Sequence, residues 1–239
     1  MSRILSTSTA FQRPIADLAA GLAVVLVLAQ LTQHALTAPG WLALTSALSY
    51  LVIAVLVAAA WTGELRHFGW ANRVTLLRAA LIALLAGSLW WPVLWQQHTV
   101  ALAGIAAAAL LLDGIDGWVA RRTGSISAFG ARFDMELDAG LILLLCLALV
   151  VLGKVGSWVL LIGAMRYAFV FSGQRWPWLQ AALPESLRRK AICVVQVVAL
   201  MVALLPGVSA ALASLLTATA LLLLSLSFAV DVRWLYRRQ

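Results

Sequence analysis

Eight continuous apolar runs, at about 15–35, 41–61, 75–95, 99–120, 134–152, 156–173, 191–205 and 209–230, leave this chain few folds to choose from. A hydrocarbon core about 30 Å thick is crossed by roughly 20 apolar residues in a helix. The runs do not alternate apolar with polar residues, so they are not barrel strands. Composition agrees, with 64% of the 239 residues hydrophobic and only 11% charged. A soluble domain is about half apolar and a quarter charged. Disordered chains, disulfide-stapled secreted domains and ordinary cytosolic enzymes are thereby excluded. The expected class is an all-α polytopic membrane protein.

Charge placement sets the expected topology. With both termini in the cytoplasm, all but one of the 17 Lys and Arg fall on the cytoplasmic side, and only Lys154 lies outside. Basic residues are retained on that side during insertion. The net charge of +8 therefore needs no nucleic acid to explain it. Cys146 and Cys193 lie inside apolar runs and read as small packing residues. Arg3 and Arg13 precede the first run, but the run is long for a signal peptide and lacks a clean cleavage site, so a retained helix is expected.

Carboxylates are the unusual feature. Five of the nine acidic residues lie between positions 113 and 138. Asp113 and Asp116 are three apart near the cytoplasmic end of the fourth run, with Gly117, Ala120 and Arg121 continuing that face. Gly130, Asp134 and Asp138 follow at four-residue spacing. Two neighbouring helices thus aim four carboxylates at one space. Each ionised Asp at a membrane centre costs about 2.5–3.5 kcal/mol, so a compensating cation is expected. Oxygen-only ligation points to Mg²⁺, Mn²⁺ or Ca²⁺ rather than zinc. Glycines open the backbone to a bulky ligand, and Arg121 suits a phosphate.

The segment Asp113–Asp138 meets all eight fixed positions of D-x2-D-G-x2-A-R-x8-G-x3-D-x3-D. It resembles the signature of the CDP-alcohol phosphotransferase family. The Asn72…Thr75-Leu-Leu-Arg78 segment is similar to the opening of that family's first core helix. The resemblance covers about residues 70–230. It implies a six-helix transmembrane catalytic bundle, residues 63–239, preceded by an accessory two-helix segment, residues 1–62. It further implies a two-metal site of Mg²⁺ or Mn²⁺ held by Asp113, Asp116, Asp134 and Asp138. Asp138 would also serve as general base. Gly117, Ala120, Arg121 and Gly130 would line the CDP pocket, with Asn72 and Thr75 beside it. The implied reaction moves a phosphatidyl group from CDP-diacylglycerol, or another CDP-alcohol, to a small polar alcohol with release of CMP. A homodimer in the bacterial inner membrane, with a cytoplasmic site, is the implied setting.

The acceptor is less legible. Relatives acting on phosphorylated acceptors often carry Lys or Arg after the fourth Asp, where this chain has Ala139. Yet Arg166 lies within an apolar run and needs an anionic partner, a site carboxylate or an acceptor phosphate. Arg188, Arg189 and Lys190 open the seventh run, and Lys190 with Gln196 resembles a pattern of the glycerophosphate enzymes. Arg166, Arg189 and Lys190 are the acceptor-side candidates. The plainer reading of the basic trio is topology and anionic-lipid contact. Glu136 lies off the Asp face and is expected to pair with Arg132. Trp61, Trp70, Trp90, Trp91, Trp95 and Trp234 read as an interfacial aromatic belt. His34, His67 and His98 are given no role. A polyprenyl-type transferase, a divalent-cation transporter and a catalytically silent scaffold are the competing readings. The transporter reading predicts acidic residues at bilayer depth and a broken helix or an internal repeat.

Overall fold

The computed structural model describes residues 5–61, 69–123, 127–181, 183, 184 and 186–237; the side chains of 5–14, 120, 121 and 180 lie outside that description. Among the described residues the chain is all-α, with no strand. Its helices are α1 (Leu5–Leu36), α2 (Leu42–Ala60), α3 (Trp70–Ser88), α4 (Pro92–Thr123), α5 (Ala128–Val151), α6 (Leu160–Arg175), α7 (Leu187–Leu204) and α8 (Ala210–Tyr236). Short 3-10 turns cover Ser157–Val159 and Pro177–Gln180. One helix forms for each apolar run. Five of them, α1 to α4 and α8, are long and apolar enough to cross a membrane by themselves. The other three fall short for different reasons: α5 opens on an Asp-rich stretch, α6 has only 16 residues, and α7 begins with Arg188, Arg189 and Lys190.

The third run does not continue to residue 95 as its apolarity suggested. α3 ends at Ser88, and α4 restarts at Pro92 after Leu89–Trp91. Proline suits the first helical position, where no N–H is required and φ is already fixed. This moves Trp95 into α4, where it is fully buried and its Nε1 donates to Ser88 Oγ at 3.0 Å. Trp95 therefore belongs to the core and not to an aromatic belt. Trp70 and Trp90 are largely exposed. α4 bends at His98, whose φ of −127° and ψ of 31° leave the helical range.

Two compact units divide the chain, Met1–Asp138 and Ala139–Gln239, with the boundary inside α5. In the first unit α3 packs against α1, α2 and α4. Of the α3 membrane window 72% is buried, against 28% or less for the other four candidate spans, so α3 is the core helix of this unit. Small residues make the close approach possible, since lipid tails give no hydrophobic drive to helix association. At Gly87 the Ser46 backbone comes so near that a Cβ would lie 2.5 Å from its nitrogen. Thr45 Oγ1 also donates to the Gly87 carbonyl at 3.0 Å. Tyr50 on α2 donates to the Leu18 carbonyl of α1 at 3.0 Å. Asp17 on α1 pairs with Arg73 of α3 at 2.9 Å. By contrast, Leu48, Val52, Val55 and Leu56 face outward, as lipid contact requires.

In the second unit, α5 closes with Gly153 at φ 66°, a left-handed conformation that glycine adopts without strain. Gly153 N–H donates to Val150 and Lys154 N–H to Leu149, a Schellman ending. The turn delivers Lys154 Nζ onto the carbonyls of Ala203, Leu204 and Leu205, at the open end of α7. The one basic residue assigned to the outer side is thus a helix cap, favoured by the α7 dipole. Desolvation there lowers its pKa below the ordinary lysine value. At the other end of α7, Arg188 and Arg189 pair with Asp231 of α8 at 2.5 and 3.4 Å. Arg188 also donates to the Ser227 carbonyl. Gly163 of α6 lies against Leu143 so closely that a Cβ would meet its Cα at 2.7 Å. Cys146 is buried as expected, whereas Cys193 is exposed on α7 rather than packed.

Candidate active site

Asn72, Thr75 and Arg78 recur every three residues along α3, and all three are buried. That spacing keeps them on one side of the helix. α4 supplies Asp113 and Asp116, and α5 supplies Asp134 and Asp138. α5 is started by Ser127, whose Oγ accepts from the Gly130 N–H at 3.0 Å, an N-cap bond. The cap sets the first turn of α5, and the two carboxylates follow one and two turns later.

All four carboxylates converge on the Arg78 guanidinium, which is 0% exposed. Nη1 lies 2.8 Å from Asp113 Oδ1 and 2.9 Å from Asp116 Oδ2, and it also donates to Asp134 Oδ1. Nη2 donates to Asp138 Oδ1 at 2.5 Å, and Nε to the Ala109 carbonyl at 3.2 Å. Thr75 Oγ1 adds a bond to Asp116 Oδ2 at 3.2 Å. Asp116 is almost wholly enclosed, while Asp113, Asp134 and Asp138 are 40%, 37% and 39% exposed. The cluster therefore has a closed floor at Asp116 and an open side at the other three.

Asp113, Asp116 and Asp134 bring one oxygen each within 4.8 Å of one another. An all-carboxylate set with partial solvent access has the chemistry of a hard divalent cation site. The residues present therefore fit a hard divalent cation. Gly130 lies one turn before Asp134 on α5, where a Cβ would lie 2.8 Å from Asn72 Oδ1 and 3.1 Å from Ser127 Oγ. Only glycine lets the Asn72 amide approach that backbone.

Of the residues singled out from the sequence, Asn72, Thr75, Asp113, Asp116, Gly130, Asp134 and Asp138 all lie in this unit. Gly117 lies on α4 one position beyond Asp116. Ala120 and Arg121 are also on α4, but their side chains lie outside the described residues. Arg166, Arg189 and Lys190 belong to the second unit, where Arg189 is engaged by Asp231 and Lys190 is exposed on α7. Glu136 is exposed on α5.

Arg78 was missed as the centre of the site. The signal was available, since an arginine inside an apolar helix requires an anionic partner. Arg78, wholly buried on α3, meets that condition as Arg166 does. Asp231 was missed as well, because nothing local to α7 or α8 announces a pair separated by about forty residues.

A family model described as CDP-alcohol phosphatidyltransferase matches residues 68–230, more than half of the chain. The match begins just before α3 and so leaves α1 and α2 outside it. No solved structure matches the chain.

Proposed function

The chain belongs to the CDP-alcohol phosphatidyltransferase family, and we propose that it transfers a phosphatidyl group from CDP-diacylglycerol to the hydroxyl of a small polar alcohol, releasing CMP. The observation that carries this reading is the convergence of the four signature carboxylates from α4 and α5 on one partly open space. Asp113, Asp116, Asp134 and Asp138 would hold Mg²⁺ or Mn²⁺ as a two-metal site. When bound, the cations supply neutralisation of the diphosphate charge and acidification of the acceptor hydroxyl.

The remaining work falls to the chain's own groups. Asp138 accepts the acceptor proton as the hydroxyl oxygen attacks the β-phosphorus. The bond from that phosphorus to the bridging oxygen breaks, and CMP departs with its pair of electrons. Gly117, Ala120, Arg121 and Gly130 line the CDP pocket, with Asn72 and Thr75 at its edge. Arg166, Arg189 and Lys190 are the groups available to an acceptor phosphate, and Arg189 would have to share itself with Asp231. Residues 63–239 act as the catalytic domain and residues 1–62 as an accessory pair. The enzyme works as a homodimer in a bacterial inner membrane, with both termini and the site facing the cytoplasm.

The transporter alternative has less support. It calls for acidic residues at bilayer depth and a broken helix or internal repeat; α4 does bend at His98, but Asp113 and Asp116 lie toward its other end and Asp134 and Asp138 in the first half of α5.

The test is CMP release by purified protein in detergent, with CDP-diacylglycerol, Mg²⁺ or Mn²⁺, and glycerol-3-phosphate, inositol, inositol phosphate, serine or choline. Acceptor-dependent CMP supports the reading and names the alcohol. No CMP with any acceptor, alongside intact metal binding, favours a scaffold or transporter.

A further inference from the structure

Arg78 is a permanent positive charge with no solvent exposure, and it is held by the same carboxylates that fit a divalent cation. Its Nη1 contacts Asp113, Asp116 and Asp134. Those three side chains also form the group whose oxygens lie within 4.8 Å of one another. Nη1 and a divalent cation therefore draw on one set of lone pairs, and as like charges they repel across a short, poorly solvated distance. Nε on the Ala109 carbonyl is independent of all four carboxylates. Arg78 can lose the Nη1 contacts and remain anchored by that bond.

We infer that Arg78 is a positioning residue acting as an exchangeable counter-ion. It keeps the four carboxylates convergent when no cation is bound, and it yields the Asp113, Asp116 and Asp134 oxygens when one binds. Holding the cluster together and weakening its grip on the cation are then two effects of the same charge. The inference rests on the reading of these carboxylates as a metal site, but it concerns affinity rather than turnover. Lysine is a poor substitute on this account, because one ammonium lacks the fork that reaches Asp138 and Nη1's partners together.

The test is Mn²⁺ binding to the full chain in detergent, read from the free-Mn²⁺ paramagnetic resonance signal, for wild type, Arg78→Gln and Arg78→Lys. Thermal melting in chelator and in saturating Mn²⁺ accompanies it. Arg78→Gln should bind Mn²⁺ about tenfold tighter or more, because a like charge has left the site. Its melting temperature in chelator should fall, so the rise on adding Mn²⁺ should exceed that of wild type. Arg78→Lys, which keeps the charge, should bind within a few-fold of wild type and still melt lower in chelator. Should Arg78→Gln survive only in Mn²⁺, its affinity is read by chelator competition. Unchanged or weaker binding by Arg78→Gln would overturn the inference and leave Arg78 as a scaffold only. Failure of wild type to bind Mn²⁺ would instead overturn the metal reading on which the inference stands.

Discussion

Arg78 Nη2 on α3 and Asp138 Oδ1 on α5 lie 2.5 Å apart, joining the helix that opens the family match to the last carboxylate of the signature. The pair is unequal. Arg78 is fully enclosed and serves four carboxylates, whereas Asp138 is 39% exposed. Arg78→Met should therefore destabilise the metal-free protein by about 3–5 kcal/mol, the usual consequence of leaving buried charge uncompensated. Asp138→Asn removes one of four partners and should cost no more than about 1.5 kcal/mol, as for a single hydrogen bond. Denaturation of both variants in chelator, followed by helical circular dichroism, measures the difference. Equal losses would count against the central place given to Arg78.

Gly130→Ala should lower both stability and CMP release. The added Cβ meets Asn72 Oδ1 at 2.8 Å, so either Asn72 turns away or α5 shifts from α3. Overpacking of this kind costs about 1–3 kcal/mol. Activity should fall further than stability explains, because Asn72 shares one side of α3 with Thr75 and Arg78, which bind the carboxylates. Melting temperature and CMP release, measured on one preparation, separate the two effects.

Gly87 and Gly104 make a matched comparison. A Cβ at Gly87 would sit 2.5 Å from the Ser46 backbone nitrogen, while one at Gly104 meets nothing within 4 Å. Gly87→Ala should push α2 off α3 and lower the melting temperature clearly. Gly104→Ala should leave it unchanged or raise it, since alanine is favoured over glycine by about 1 kcal/mol inside a helix. Thermal melting of the two variants side by side gives the answer.

Lys154→Met should uncap α7. The ammonium meets three carbonyls at the end of that helix, and its methylene stem is kept in methionine. Capping and dipole interactions of this type contribute about 0.5–2 kcal/mol. Faster amide exchange confined to the last turn of α7, with α1 to α4 unaffected, is the expected pattern.

Elements fixed by local chemistry were legible in the sequence, and contacts fixed by packing were not. The apolar runs foretold every helix, because hydrocarbon demands satisfied backbones wherever the chain crosses it. The spacing from Asp113 to Asp138 foretold two carboxylate-bearing helices. Pro92 marked the start of α4, yet the apolar residues around it masked the break, and Trp95 was assigned to the wrong environment. Asp17 with Arg73, and Arg188 with Asp231, pair residues far apart in the chain, so no periodicity could reveal them. Compensation of the Asp cluster was expected from a metal alone. The buried guanidinium of Arg78 shows that the protein supplies part of it.

The most direct test of the central claim is CMP release from CDP-diacylglycerol by wild type and Asp138→Asn, each with the acceptor that gives the highest wild-type rate. A general base contributes about 10²–10⁴-fold to such a step. The account predicts acceptor-dependent release by wild type and a loss of at least about a hundredfold in the variant, with the helical fold retained. Wild-type release that persists unchanged in Asp138→Asn, or no release by wild type with any acceptor, would contradict it.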